Sequence, residues 1–298
     1  MGSVKPDVIV VGAGRLATSI SMELRHAGYT ISEIIVRDVR DSPQSLRKAR
    51  ALAAKVGASA VTANSAKLDA TLFWFCVPDR DIHNAAATLA GYLALKKNRK
   101  NKIRVALHSS GALSSRELDP LRKVGVRVAS AHPLMTFVAR SNPALRDVPF
   151  AVEGDAFAAR LVRRLVRDLG GKPFSFPAEK KAAYHAWATM TSPLLVAFLV
   201  TLEEAARAAG LAPQRAIRMS GPIIQQTLAN HSRLGSARAF SGPLIRGDTD
   251  TVAKHLSALR SYPEAHGVYV ALAGAAVRKL PVKNVKQIRR LLGRESRS

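Results

Sequence analysis

Cysteine is nearly absent from this 298-residue chain: Cys76 stands alone. One thiol excludes an internal disulfide framework. Its place in the apolar run Leu72–Val77 reads as a small core residue in a reduced compartment. Acids are scarce as well, with 21 Asp and Glu against 46 Lys and Arg, a formal charge of +25. Aromatic residues make up only 5% of the chain. None interleaves with the two densest basic stretches, Lys96–Lys102 and Arg278–Ser298. Without stacking residues or a recognition motif, nucleic-acid binding is not expected. The charge reads as compositional bias plus attraction for an anionic cofactor and substrate. Long apolar runs are missing too. The longest, Met190–Leu202, is too short for a membrane span and holds Pro193, so it reads as a buried helix and no membrane association is expected. The first apolar run has no cleavage pattern, and a cytoplasmic location is expected. No Cys/His cluster has metal-ligand spacing, and no nucleophile elbow is present.

What is present begins at Val8. The β-branched run Val8–Val11 feeds into Gly12-Ala13-Gly14-Arg15-Leu16-Ala17 and a helix-compatible segment that ends near Gly28. This is the strand–turn–helix of a dinucleotide-binding unit. Gly12 permits the tight turn, Gly14 lets backbone approach a pyrophosphate, and Ala17 keeps helix and strand close. The helix N-terminus, with Arg15 and Leu16 in its first turn, offers unpaired N–H groups to phosphate. The next apolar run, Ile31–Val36, ends in Arg37-Asp38-Val39-Arg40. Arginines at this strand tip suit the 2′-phosphate of NADP(H), with Arg47 and Lys48 close by. Asp38 is the competing reading, as the ribose acid of an NAD site.

Strands and helices then alternate. Helix Ser42–Val56 leads to a strand at Ser59–Val61. Strand Leu72–Val77 precedes helix Asp81–Leu93, and strand Ile103–His108 follows. Ser114–Glu117 has the spacing of a capping box that opens the next helix. After strand Val126–Ala131 come strand Phe150–Glu153, helix Asp155–Leu169 and strand Lys172–Phe176. The pattern is α/β: a Rossmann-like, mostly parallel, doubly wound sheet over residues 1–177. From Ala178 strand signals vanish, and residues 178–298 read as an all-α domain. Its first helix is expected to kink at Pro193 and to form a homodimer interface.

Ligands of open parallel sheets bind at the carboxyl ends of the strands. Those ends carry the nucleotide turn, Arg37, Val77-Pro78-Asp79, His108-Ser109-Ser110-Gly111 and His132-Pro133. Val77, Pro78 and Ser110 are expected on the cofactor. Ser109 and Ser110 could bond the nicotinamide amide or the substrate. Histidine titrates near neutrality, so His132 and His185 are the candidate proton donors. Tyr184 and His185 are neighbours on one helix, and only one is expected to face the site fully. Arg246 could hold a substrate carboxylate as a bidentate fork, with Asp248 beside it in a Gly-Pro to Gly-Asp loop. His108, which ends a buried strand, reads as a structural histidine.

Val77-Pro78-Asp79, His108–Leu113, His132–Phe137, Pro149–Asp155, Tyr184-His185-Ala186, Ser241–Asp248 and His255 together resemble a known family. It comprises the predicted NADP oxidoreductases that join a Rossmann-like domain to domain of unknown function 2520. In architecture that family is similar to pyrroline-5-carboxylate reductases, 6-phosphogluconate-type dehydrogenases and ketopantoate reductases. Thr191-Ser192-Pro193 with Glu203, Glu204 and Ala209-Gly210-Leu211 echoes the kinked dimer helix of the reductases. One departure stands out: Pro193 occupies the place where the family usually carries an asparagine.

The leading expectation is an NADP-dependent oxidoreductase that moves hydride between nicotinamide and a small anionic oxo, imino or hydroxy acid. The alternatives are a non-catalytic NADP(H)-binding protein and, less favoured, a basic nucleic-acid-binding protein on a Rossmann scaffold.

Overall fold

The computed structural model describes residues 5–37, 43–96, 103–138 and 143–295. The chain divides into two compact units, Met1–Thr189 and Met190–Ser298. Composition alone puts the change at 177/178. The unit boundary falls later because the helix after Ala178 buries its first turns, through Lys181 and Tyr184, in the sheet-bearing unit.

The first unit is built on one eight-stranded sheet. Its strands are β1 (Val8–Val11), β2 (Ile31–Val36), β3 (Ser59–Thr62), β4 (Leu72–Phe75), β5 (Val105–His108), β6 (Arg127–Pro133), β7 (Pro149–Gly154) and β8 (Lys172–Ser175). They lie in the order β3-β2-β1-β4-β5-β6-β7-β8. Pairing is parallel except between β6 and β7, which run antiparallel. The first six strands have the order of a doubly wound dinucleotide fold, and β7 and β8 extend it. Every residue of β1, β4 and β5 is buried. That is why these segments read as continuous apolar runs and not as alternating ones.

Helices α1 (Arg15–His26), α2 (Pro43–Val56), α3 (Asp79–Leu95), α4 (Asp119–Lys123), α5 (Ala156–Asp168) and α6 (Lys181–Thr191) complete the unit. They seal two cores, one on each face of the sheet. Trp74, Leu107, Ile20 and Leu24 lie in the first; Phe73, Phe75, Ile82 and Leu89 lie in the second. The capping box at Ser114 does not form. Ser114 makes no side-chain cap bond, and Ser115–Leu118 is a single 3-10 turn. Ser115 turns instead to Glu153, donating from its backbone N at 2.7 Å and its hydroxyl at 2.8 Å.

The second unit is helical: α7 (Pro193–Ala208), α8 (Pro213–Leu234), α9 (Ser236–Ala239), α10 (Pro243–Arg246), α11 (Thr249–Leu259), α12 (Pro263–Lys279) and α13 (Val285–Glu295). Its buried core is small, formed by Val252, Leu256, Ala273, Val277, Ile288 and Leu292. The expected break falls at Ser192 (φ −130, ψ −78), and Pro193 opens α7 at its first position. There the missing N–H costs no helical bond.

Two expectations about this stretch are corrected. Met190–Leu202 does not read as a buried helix, since no residue of α7 is buried. The helical stretch is also longer than the apolar run, and by length and composition Ala178–Ala208 is long and apolar enough to cross a membrane. The interruption at Ser192 and the burial of Lys181 set it apart from one continuous apolar span.

Candidate active site

Parallel sheets open a crevice where strand order reverses, here between β1 and β4. A cleft of about 540 Å³ lies there. Gly12, Ala13, Gly14, Arg37, Val77 and Pro78 line it, as do Ser45, Lys48, Arg80 and Asp81. Gly12 has φ +115, and a Cβ on it would stand 2.5 Å from the Cys76 carbonyl oxygen at the end of β4. Only glycine fits that approach. At Gly14 a Cβ would meet nothing within 4 Å, so the turn is open on the cleft side. Gly14 is the N-cap of α1 and supplies no side-chain acceptor to the first helical N–H groups. Such a terminus favours a bound anion.

Not every residue expected on the cofactor faces this cleft. Arg15 instead reaches the Phe137 carbonyl at 3.3 Å, and Leu16 packs against the first core. Arg40 and Asp38 lie outside the described residues. Arg37 does line the cleft, where its guanidinium pairs with the Asp81 carboxylate. Lys48 and Arg80 bring two more cations to the same wall. Arg80 follows the Val77-Pro78-Asp79 turn directly, a position from which sequence reasoning drew no role.

Ser110 sits between this cleft and a second polar cluster. Its hydroxyl donates to Asp79 at 2.7 Å and accepts from the Leu113 N–H at 2.9 Å. It is thus engaged in closing its own turn, not presented to a ligand. Ser109 accepts from the buried Trp74 indole at 2.8 Å and keeps its own hydroxyl proton to donate. His108 is fully buried. Its Nδ1 accepts from the Ser110 N–H at 3.1 Å, which puts the ring proton on Nε2, 2.9 Å from the Ser114 carbonyl. Burial, helped by the nearby Lys181 ammonium, lowers its pKa to about 3. His108 is a structural histidine that folds the Ser109–Gly111 turn.

The second cluster is His132, Tyr184 and His185. His132 Nδ1 lies 3.0 Å from the Tyr184 hydroxyl. The His185 ring meets His132 edge-on, with centroids 5.9 Å apart. The expectation that only one of Tyr184 and His185 would face the site is therefore corrected. The two diverge around α6, but the His132 ring at the end of β6 reaches both. Gly111 completes the arrangement. A Cβ there would lie 2.5 Å from His185 Cδ2 and 2.8 Å from His132 Nε2, so the turn passes between the rings only as glycine. Phe176 packs on the other side of Tyr184, with ring centroids 4.8 Å apart.

Burial pushes His132 down to about 4, and Lys181 and His185 push the same way. At neutral pH His132 is a neutral imidazole. It can relay a proton through its bond to Tyr184, but it is not the imidazolium donor expected from its ordinary pKa. Burial also raises Tyr184 to about 12, so its hydroxyl keeps its proton.

Lys181 went unnoticed in the sequence, where Glu179-Lys180-Lys181 looks like a solvated charge run. The signal was its spacing: Lys181 and Tyr184 stand three apart on one helical face, and both are buried. Lys181 Nζ donates to the Ser110 carbonyl at 2.8 Å and to the Ser130 hydroxyl, and lies 3.8 Å from Glu153. Burial lowers its pKa to about 8, with Glu153 pulling the other way.

Arg246 and Asp248 belong to the second unit. Arg246 is exposed at the end of α10. Asp248 caps α11, accepting from the Thr251 N–H at 3.0 Å and the Thr251 hydroxyl at 2.7 Å. This gives Asp248 a structural task that accounts for its place in the loop. Among the described residues, no group of three or more His, Cys, Asp or Glu could hold a metal ion.

Residues 148–276 match the family model described as a domain of unknown function (DUF2520). The match begins at the edge of β7 and runs through most of the helical unit. No curated protein matches the sequence. Among solved structures, the chain is similar to a Bacteroides fragilis protein assigned as an NADP oxidoreductase. The identity is 20% and the TM-score 0.71, over 91% of this chain and 97% of that one. It is also similar to a pyrroline-5-carboxylate reductase from Coxiella burnetii (15% identity, TM-score 0.57, 97% and 99% covered). A third is a reductive aminase from Aspergillus terreus, solved with NADPH and ethyl-5-oxohexanoate (14%, 0.63, 96% and 98%). At these identities the likeness establishes a shared fold: a Rossmann-like sheet unit followed by helices.

Proposed function

We propose that this chain is an NADP(H)-dependent oxidoreductase acting on a small anionic oxo, imino or hydroxy acid. The observation that carries the reading is the coupling of two sites in one unit. The cleft at the β1/β4 switch point has the open Gly14 turn that a pyrophosphate needs. Through the Asp79–Ser110 bond, its rim connects to the turn against which His132 and His185 pack. The solved relatives with nicotinamide cofactors support the same reading.

The residues fit the group. Gly12–Gly14 and the start of α1 would hold the pyrophosphate. Arg37, Lys48 and Arg80 would hold the 2′-phosphate, since arginine forks match phosphate geometry. When bound, the nicotinamide ring supplies or accepts hydride. The chain's own part is to orient the substrate and manage one proton. Tyr184, hydrogen-bonded to neutral His132, delivers the proton to the substrate oxygen or nitrogen that gains charge, and His132 and His185 restore it from solvent.

The assembly is a homodimer through the second unit. Leu194 (52%), Val196 (59%) and Ile223 (67%) are exposed on α7 and α8 in the single chain, as are Val200, Ile217 and Leu228. Apolar exposure of this extent marks an interface.

Two observations favour the second reading, a non-catalytic NADP(H)-binding protein. Ser110 is spent on Asp79 and Leu113, and Pro193 replaces the amide of the family pattern. The test is NADPH consumption across a panel of small oxo acids, with and without ammonia, beside NADPH titration. Consumption that Tyr184→Phe slows by about 100-fold or more supports the oxidoreductase. Tight binding with no consumption supports the second reading.

A further inference from the structure

Lys181 is 2% exposed, in the same class as the core leucines. A buried ammonium is costly, and a well-packed apolar side chain of similar volume commonly serves stability as well or better. Its surroundings say what is kept in exchange. Four elements converge on one nitrogen. The Ser110 carbonyl comes from the turn after β5, the Ser130 hydroxyl from β6, Glu153 from β7, and Lys181 itself from the first turn of α6. Glu153 is held in turn by the Ser115 N–H and hydroxyl. One residue past Ser110 is Gly111, which touches both histidine rings, and two residues past Ser130 is His132. Three residues along α6 is Tyr184, whose hydroxyl meets His132.

We infer that Lys181 is the positioning residue of the His132–Tyr184–His185 cluster. From one buried ammonium it ties the Ser109–Gly111 turn, β6 and β7 to the start of α6, and so fixes where the three rings meet. The inference deepens the proposed function and rests on reading that cluster as the reacting centre.

An apolar side chain could make none of these bonds, nor could it set the charge beside His132. The groups that face His132 are Tyr184, His185 and Lys181 from α6 and the backbone of Gly111 from the turn. Those that face Lys181 are Glu153, Asp79, His108 and His132. Among the described residues no carboxylate bonds His132, and the Lys181 cation adds to burial, the larger cause, in holding the imidazole neutral, in the form that can share a proton with the Tyr184 hydroxyl.

The experiment is a pH titration of the His132 imidazole by nitrogen NMR, in wild type and three variants. Lys181→Met removes the cation. Lys181→Met with Glu153→Gln removes both charges, so that no unpaired carboxylate stays buried, and it serves if the single variant does not fold. Lys181→Arg keeps the charge. In either methionine variant the His132 midpoint should rise by about one unit or more. In the arginine variant it should stay near the wild-type value. A folded methionine variant whose His132 midpoint equals that of wild type overturns the inference. NADPH titration of the same samples separates this from the wider reading. If wild type fails to bind NADPH, the proposed function is wrong, whatever His132 does. If NADPH binds and the His132 midpoint does not move, Lys181 alone is misassigned.

Discussion

The two units solve the same problem in opposite ways. The sheet unit buries its apolar surface within one chain: β1, β4 and β5 are sealed on both faces. Among the described residues the helical unit gathers six buried apolar residues into its core and leaves Leu194, Val196, Ile217 and Ile223 exposed. The difference teaches where each unit gets its stability. The first is complete in one chain, and its buried Lys181, Glu153, Ser110 and Ser130 brace the turn and strand that carry the candidate site. The second has a small core and an exposed apolar face, which the proposed second copy would cover.

The largest effect should come from breaking that second core. Val196→Glu with Ile223→Glu places charge at two exposed apolar positions. Dimer affinity should fall on the order of 1,000-fold, two interface anchors' worth. Sedimentation equilibrium should show monomers, with the sheet unit still folded by circular dichroism. An unchanged dimer would place the interface elsewhere.

Acid should separate the units next. His132 and His108 are held neutral, with pKa values of about 4 and about 3 against an ordinary 6.5. As pH falls below 6.5 the unfolded chain takes up protons that the folded sheet unit refuses. Stability is therefore lost between about pH 6.5 and 4, by about 3 kcal/mol from His132 alone. Lys181 adds an alkaline limb of the same sign. Its pKa is lowered to about 8 from 10.5, so its burial penalty eases, and stability rises, as pH climbs through that window. Denaturant melts across pH read both limbs, and a flat profile from pH 7 down to 4 would contradict the buried neutral histidines.

A smaller effect sharpens the cofactor side. Arg37→Ala should weaken NADPH about tenfold, the loss of one charged hydrogen bond, and leave NADH within about twofold. Fluorescence titration with both cofactors checks it. The smallest effect lies in the helical unit, where Asp248→Ala removes the α11 cap and should cost about 1 kcal/mol with NADPH affinity unchanged. Differential scanning calorimetry reads that loss.

The sheet unit was legible because its signals are local. Val8–Gly14 carries strand, turn and helix start in seven residues, and the buried parallel strands read as apolar blocks. The mostly parallel sheet followed from the alternation of elements, and only the antiparallel pairing of β6 with β7 departs from it. The site was legible only in part. His132 and His185 could be found because they follow an apolar strand and open an apolar helix. Lys181, Glu153 and Gly111 could not be given roles, because their task is set by distant partners: a buried ion pair across β7 and α6, and two rings closing on one Cα. The same distance effect inverted the reading of His132, since no local pattern reveals how deeply the ring is buried or the cation behind it. In the helical unit the apolar face of α7 was visible, but its sequence looks the same whether its own chain or a second copy covers it.

In the proposed function the sheet unit binds NADPH in the β1/β4 cleft and passes its hydride on. Nicotinamide-deuterated NADPH, incubated with small oxo acids in the presence of ammonia, tests it most directly by mass spectrometry of the products. The account predicts one deuterium in a hydroxy or amino acid product, with transfer slowed at least about 100-fold by Tyr184→Phe. NADPH held tightly by the wild-type dimer, with no label appearing in any product, would contradict it.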